Sequence, residues 1–376
     1  MKRIYPANHI KVIKEYKPIK SLDLLVEELN ISREKLIKLD GNENPYGVVP
    51  EVKEALATLG DIQIYPDPLC SRLVSVIATN ENLPEKNIII GAGADELIDL
   101  VIRGFTNPGD IILSQSPTFG MYSYLSLVNG ISYRNIPQKL QISGAFARYC
   151  LDERKFLKAA SQAKLVFLAR PNNPDGQISS IDFIKRLLNL SALIIIDEAY
   201  IEFANQASLT KWVSSHENLV ILRTFSKAYA LGGLRVGYGV MAPSIKKTLV
   251  KIKQPYNVNI AGQEAAIQAL SSSLVQQQVK QIIKTREWFI QELEKIQDDF
   301  KSFWIHRSQA AFVLLTFQSE DLVKAIYTIL KSKGILTRFY SALDMTRNLR
   351  ISIGTPDQMK RVIEEIKTIL IGLNKL

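Results

Sequence analysis

Residues 193–227 read LIIIDEAYIEFANQASLTKWVSSHENLVILRTFSK. Two apolar runs, 193–196 and 219–222, are of strand length and contain no polar residue, as in a strand buried on both faces. Each run stops at once in reactive side chains: Asp197-Glu198-Ala199-Tyr200 after the first, Arg223-Thr224-Phe225-Ser226-Lys227 after the second. In an open parallel sheet, ligands bind beyond the carboxyl ends of the strands, so both endings point to one edge.

Outward from this stretch the pattern repeats. Apolar runs at 87–90, 111–114 and 165–168 read as further buried strands, and helical spacing at 95–104, 121–128, 152–160 and 181–189 alternates with them. Strands alternating with helices predict an α/β fold whose large domain has a mostly parallel sheet between helices. From about 262 the pattern changes. A long amphipathic stretch at 263–296, strands at 311–317, 336–340 and 349–353, and helices at 322–333 and at the end predict a smaller α+β domain. The expected division is an N-terminal segment 1–48 packing with the small domain, a large domain 49–262 and a small domain 263–376.

The chain has 376 residues, 47% of them hydrophobic, enough to bury a large core without staples. Two cysteines, Cys70 and Cys150, exclude a disulfide framework. No apolar run approaches the roughly 18 residues that span a bilayer. The start, MKRIYPANHIKVIK, lacks the apolar core of a secretory signal, so a cytoplasmic protein with no membrane partner is expected. The formal charge is +10 and uneven. Residues 1–40 carry nine Lys/Arg against six Asp/Glu, 41–240 eighteen against nineteen, and 241–376 twenty against twelve. A nucleic-acid binder clusters its basic residues with aromatics; here they spread along helix-like stretches, so no nucleic-acid partner is expected. A basic surface that helps draw in an anionic substrate fits better.

Four strand ends carry usable groups, each with a plain alternative. The run 87–90 leads into Gly91-Ala92-Gly93-Ala94-Asp95 and a helix. That junction aims N–H groups at an anion or is a simple turn; Glu96 in the sixth position rules out a dinucleotide fingerprint. The run 165–168 ends in Ala169-Arg170-Pro171-Asn172-Asn173-Pro174-Asp175-Gly176, a binding loop or a structural one. Asp197 is a ligand or a helix N-cap. Lys227, followed by Gly232, Gly233 and Arg235, is reactive or merely exposed. The histidines and cysteines show no metal-ligand spacing, so no metal is expected. Together the endings supply what pyridoxal 5'-phosphate requires: a lysine for its Schiff base, a carboxylate for its pyridinium nitrogen, a phosphate cup and a donor to its ring oxygen.

The chain resembles the fold-type I pyridoxal-phosphate-dependent aminotransferases over nearly its whole length, and among them the histidinol-phosphate aminotransferases. The resemblance rests on KLDGNENPYG (38–47), YPDP (65–68), GAGADELIDL (91–100), SPTFGMY (116–122), RPNNPDG (170–176), IIIDEAYIEF (194–203), RTFSKAYALGGLRVGYG (223–239), KQPYNV (253–258) and LRISIGTP (349–356). It implies that Lys227 forms the Schiff base and moves the proton, that Asp197 pairs with the pyridinium nitrogen, and that Asn173 and Tyr200 hydrogen-bond the ring oxygen. It further implies that Phe119 stacks on the ring, and that the N–H groups of Ala94 and Asp95, the hydroxyls of Thr224 and Ser226, and Arg235 hold the phosphate. Arg350, with Arg338 and a contact from Tyr16, resembles the group that grips the substrate anion. Asn173 also belongs to the substrate side. Tyr65 is expected to reach the cofactor of a second subunit, which implies a homodimer. The implied reaction moves an amino group between glutamate and imidazole-acetol phosphate in histidine biosynthesis, giving histidinol phosphate and 2-oxoglutarate. The rivals are an aromatic or broad-specificity aminotransferase and a threonine-phosphate decarboxylase of the same fold. Two positions depart from the usual pattern: Asp175 stands where threonine is common, and Ala311 where asparagine is, which implies a looser substrate contact at 311.

Overall fold

The computed structural model describes residues 4–13, 20–341 and 345–373. Its strands in chain order begin with β1 (Ile37–Lys38), β2 (Ile88–Gly91), β3 (Ile111–Ser116), β4 (Ser132–Pro137) and β5 (Lys139–Ser143). They continue with β6 (Phe146–Cys150), β7 (Leu165–Ala169), β8 (Leu193–Asp197), β9 (Leu219–Thr224) and β10 (Gly237–Met241). The last are β11 (Phe303–His306), β12 (Phe312–Phe317), β13 (Ile335–Leu336), β14 (Arg338–Phe339) and β15 (Asn348–Ser352).

Seven strands form the main sheet in the order β2-β10-β9-β8-β7-β3-β4. The run β9-β8-β7-β3-β4 is parallel, as the alternation of strands and helices predicts. The apolar runs are continuous because both faces are covered. Ile194 and Ile196 enter one core together with Val166 and Leu168, while Ile195 and Phe167 enter the core on the opposite face. The covering helices start where side-chain caps allow. Asp152 accepts from Lys155 N–H and Ser180 from Phe183 N–H, each satisfying a donor that a helix start leaves bare.

β10 is antiparallel to both β9 and β2, and its sequence, GYGVM, conceals a strand behind two glycines. Gly237 is required by close approach: a Cβ there would lie 2.6 Å from Ala94 N. Because β10 runs backwards, its start, and Arg235 just before it, comes to the same edge as the ends of β7, β8 and β9.

The second sheet has the order β14-β15-β12-β11-β6-β5. Residues 139–150 fall inside the stretch 49–262, yet β5 and β6 join this second sheet, with β6 parallel to β11 through Phe146 and Ala147. Buried Tyr149 packs there with Leu314 and Met345, an association between distant segments that local periodicity does not report. The expected strand 336–340 is two short strands around Thr337: β13 pairs with β1 and β14 with β15. Ile37 and Leu39 share a core with Ile335 and Ile351.

The expected amphipathic helix 263–296 is also divided, into Ile260–Ser271 and Ser273–Phe300. Ser272 is extended (ψ 124°) and its hydroxyl accepts from Leu274 N–H while donating to Glu51, so a serine cap restarts the helix. Arg286 on the longer helix is fully buried, and its Nη1 donates to Phe203 O and Ala310 O, both at 3.0 Å. This bond fixes the turn that follows Tyr200. Arg286→Met keeps the stem but leaves two buried carbonyls unpaired. It should cost about 2–4 kcal/mol in a denaturant melt.

Candidate active site

A cavity of about 890 Å³ opens beyond the carboxyl edge of the main sheet and is walled on its far side by β14 and β15. Ala94, Asp95, Phe119, Asn173, Asp197, Tyr200, Thr224, Ser226, Lys227, Arg235, Arg338 and Arg350 all line it. The structure thus brings together twelve of the residues singled out from sequence.

One end is an anion cup. The helix Ala94–Phe105 starts after Gly93, whose φ of +83° a larger residue adopts poorly, and no side chain caps its first turn. A Cβ on Gly93 would meet Arg235 Nη2 at 2.6 Å, so the glycine also makes room for the guanidinium. Arg235 pairs with Asp95 at 3.1 Å, with both side chains about half exposed, and donates to Gly232 O at 3.2 Å. Ser226 N–H donates to Thr224 Oγ1 at 3.1 Å, which folds the turn after β9 around the cup. Glu96, the residue that breaks a dinucleotide fingerprint, accepts from Ala92 N–H (2.5 Å) and Asn257 (2.6 Å) and so ties the turn down.

In the middle, Asp197 at the end of β8 is buried and accepts from Tyr122 OH at 2.7 Å and Ala199 N–H at 3.0 Å. Burial raises its carboxyl to about 6, against the pull of those two hydrogen bonds; Asp95 adds to the rise and Lys227 opposes it. Lys227 Nζ donates to Gly41 O at 3.1 Å and lies 5.8 Å from the centre of the Tyr200 ring. Tyr200 OH accepts from Asn42 Nδ2 at 2.9 Å, and Asn42 is held by Ser352 through its own N–H and its Oδ1.

At the other end Arg350 Nη1 donates to Asn173 Oδ1 at 2.6 Å and Nη2 to Asp40 O at 2.8 Å. Its buried Nε has no partner among the described residues. Arg338 and Arg350 are direct cross-strand partners, an arrangement of like charges that costs stability unless an anion lies between them. The loop carrying Asn173 is braced by Asp175, whose Oδ1 accepts from Asn172 at 2.9 Å and Gln177 N–H at 3.2 Å.

Three expectations fall elsewhere. Tyr65 is 79% exposed and stacks on Tyr256 at 4.8 Å, away from this chain's own cavity. Tyr16 lies outside the described residues. Ala311 is buried in the core of the second sheet and does not line the cavity, so the looser contact expected there is not seen. Sequence reasoning passed over Tyr122 and Asn42, although both sit inside quoted motifs. Among the described residues no cluster of His, Cys, Asp and Glu is placed to hold a metal, and no helix is long and apolar enough to cross a membrane.

Residues 34–366 match the family model described as aminotransferase class I and II. The chain belongs to that aminotransferase family. Curated relatives include histidinol-phosphate aminotransferase 1, chloroplastic, of Arabidopsis thaliana, 37% identical over 96% of this chain and 84% of its own. The histidinol-phosphate aminotransferase of Roseiflexus castenholzii is also 37% identical, over 96% of both chains. Among solved structures, histidinol-phosphate aminotransferase from Sinorhizobium meliloti, in complex with pyridoxal-5'-phosphate, superposes with a TM-score of 0.83 at 24% identity over 97% of each chain. That from Clostridium acetobutylicum has a TM-score of 0.80 at 25% identity, over 91% of this chain and all of its own.

The aminotransferase takes pyridoxal phosphate as its cofactor. Its own residues fit that group: an uncapped helix start with two hydroxyls and an arginine, a buried carboxylate, and an amine converge on one cavity.

Proposed function

We propose that the enzyme transfers an amino group between glutamate and imidazole-acetol phosphate, making histidinol phosphate for histidine biosynthesis. The observation that carries the substrate reading is the Arg338–Arg350 pair in the same cavity as Lys227 and Asp197. Two guanidinium forks suit a phosphate, and one of them suits the carboxylate of glutamate. Bound pyridoxal phosphate supplies an electron sink for the charge left on the substrate carbon.

The chain's residues divide the remaining work. Lys227 anchors the cofactor through its amine and, once released, carries a proton to and from the substrate carbon. Asp197 keeps the ring nitrogen protonated. Asn173 and Tyr200 donate to the ring oxygen, and Phe119 covers the ring face. The N–H groups of Ala94 and Asp95, with Thr224, Ser226 and Arg235, hold the cofactor phosphate. Tyr16 adds a substrate contact.

A homodimer belongs to this reading, with Tyr65 reaching the partner's cofactor. Its support is the exposed apolar set Ile62, Ile64, Tyr65 and Leu69. Light scattering should report two chains, and a monomer with full activity would remove Tyr65 from the site. We also read the segment 1–48 and the unit 263–376, joined by β5 and β6, as the substrate-gripping part, facing the rest of the cofactor-bearing unit 49–262. Limited proteolysis that cuts in the exposed turn 254–256, just before the helix Ile260–Ser271, supports that division; cleavage confined elsewhere goes against it. Two free cysteines accord with a cytoplasmic location, which cell fractionation checks.

Turnover of histidinol phosphate should exceed that of phenylalanine by about a hundredfold, because unpaired arginines reject a substrate with no anion at that end. A preference for phenylalanine would favour a broad-specificity aminotransferase, and release of carbon dioxide from threonine phosphate would favour a decarboxylase.

A further inference from the structure

The Tyr122 side chain is fully buried, and its hydroxyl donates to Asp197 Oδ2 at 2.7 Å. Its ring lies nearly parallel to Phe167 (centroids 5.0 Å apart, 15°) and meets Phe119 edge to face (5.6 Å, 85°). One side chain therefore touches two walls of the cavity, the carboxylate at its middle and the aromatic ring that covers it. We infer that Tyr122 is a positioning residue of the cofactor's nitrogen site, where its hydroxyl holds Asp197 ionised and aimed while its ring sets the tilt of Phe119. This rests on the reading above in which Asp197 faces a pyridinium cation.

Asp197 has to be charged for that task in a place that opposes charge. Burial favours its neutral form, Asp95 adds to that tendency, and Lys227 works against it. The donors to the carboxylate are Tyr122 OH and Ala199 N–H. A hydrogen bond to a charged group is about twice as strong as one between neutral groups, and it favours the charged form. Tyr122 is suited to act as a donor only. Burial first, then the Asp197 charge and the neighbouring Tyr133 and Tyr200, push its phenol well above the usual range, so its proton stays in place at neutral pH. The Phe167 and Phe119 contacts leave the ring little freedom to turn the hydroxyl away.

The test is the affinity of cofactor-free protein for pyridoxal phosphate, titrated by fluorescence between pH 5.5 and 9 in the wild type, Tyr122→Phe and Asp197→Asn. In the wild type, affinity should rise with pH through a midpoint near the carboxyl value of about 6. Tyr122→Phe keeps the stacked ring and removes the donor. It should bind about eightfold more weakly at pH 5.5 and about twofold more weakly at pH 7, with the midpoint moved up by about one pH unit, and the gap should close above pH 8 where Asp197 is ionised in both. A loss that does not vary with pH would mark a packing role only; that result, or a variant unchanged from the wild type, would overturn the proposal. If Asp197→Asn binds as the wild type does, the assignment of Asp197 itself fails, which is a different result. Should Tyr122→Phe not fold, 3-fluorotyrosine placed at 122 keeps the shape and makes the phenol a stronger donor. The midpoint should then move down, and an unmoved midpoint refutes the inference.

Discussion

Lys227→Ala should lower turnover on the order of 10⁴-fold or more, since it deletes both the covalent anchor and the group that moves the proton. The loss should be chemical rather than structural. Lys227 makes one hydrogen bond, to Gly41 O, and no ion pair among the described residues, so the melt of the variant should stay close to the wild type. Borohydride should fix a cofactor-derived mass on the peptide bearing Lys227 in the wild type and on no peptide in the variant. Normal turnover by the alanine protein would take the lysine out of the reaction.

Asp197→Asn should have the second-largest effect, and in two opposite directions. Turnover should fall about 10³-fold, because a neutral amide cannot keep the ring nitrogen protonated. The cofactor-free protein, by contrast, should become more stable. Burial raises the Asp197 carboxyl to about 6 in the folded protein, against about 3.8 for an aspartate in water. The folded state therefore holds this proton more tightly than the unfolded state, and folding stability falls as pH rises from about 4 to about 6. Below that window the acid costs nothing; above it the full penalty is present, on the order of 1–3 kcal/mol. The asparagine variant escapes the penalty. Its advantage in a urea melt should be absent at pH 4, present at pH 7.5, and reversed when pyridoxal phosphate is added, because only the wild type gains from the cofactor. A variant less stable than the wild type at pH 7.5 without cofactor would contradict a carboxylate strained by burial.

Much of the fold and most of the site could be read in advance because both depend on short-range order. Runs such as 194–196 place alternate residues in opposite cores, and a buried parallel strand leaves that mark in any sequence. The chemistry follows the strand ends, so Asp197, Thr224, Lys227 and Asn173 were visible with their strands. The features that escaped depend on pairs far apart in the chain. Tyr122 reads as an ordinary helix residue until Asp197, 75 positions on, is placed beside its hydroxyl. Arg286 looks like a polar position on an amphipathic helix until carbonyls from Phe203 and Ala310 close on it. The buried pair Arg170–Glu198 joins the ends of β7 and β8, and Arg223 joins Glu202 and Glu81; neither follows from spacing. β10 was hidden because two glycines erase the alternation of side chains. The break at Ser272 was hidden because serine inside an amphipathic pattern is not by itself a stop.

The short segment Asp40-Gly41-Asn42 is a strap along the cavity wall, and it holds Arg350 and Lys227 through the carbonyl oxygens of Asp40 and Gly41. Those acceptors belong to the main chain. An alanine at position 40 would remove the ion pair with Lys38 (3.0 Å) but leave its carbonyl on Arg350, and a change at Asn42 would register through its bond to Tyr200. A scan of single side chains would therefore report the bonds of Asp40 and Asn42 to Lys38 and Tyr200 and miss the two carbonyls of the strap. Its grip on two cations would be exposed only by altering the backbone itself, through deletion of a residue or replacement of an amide by an ester.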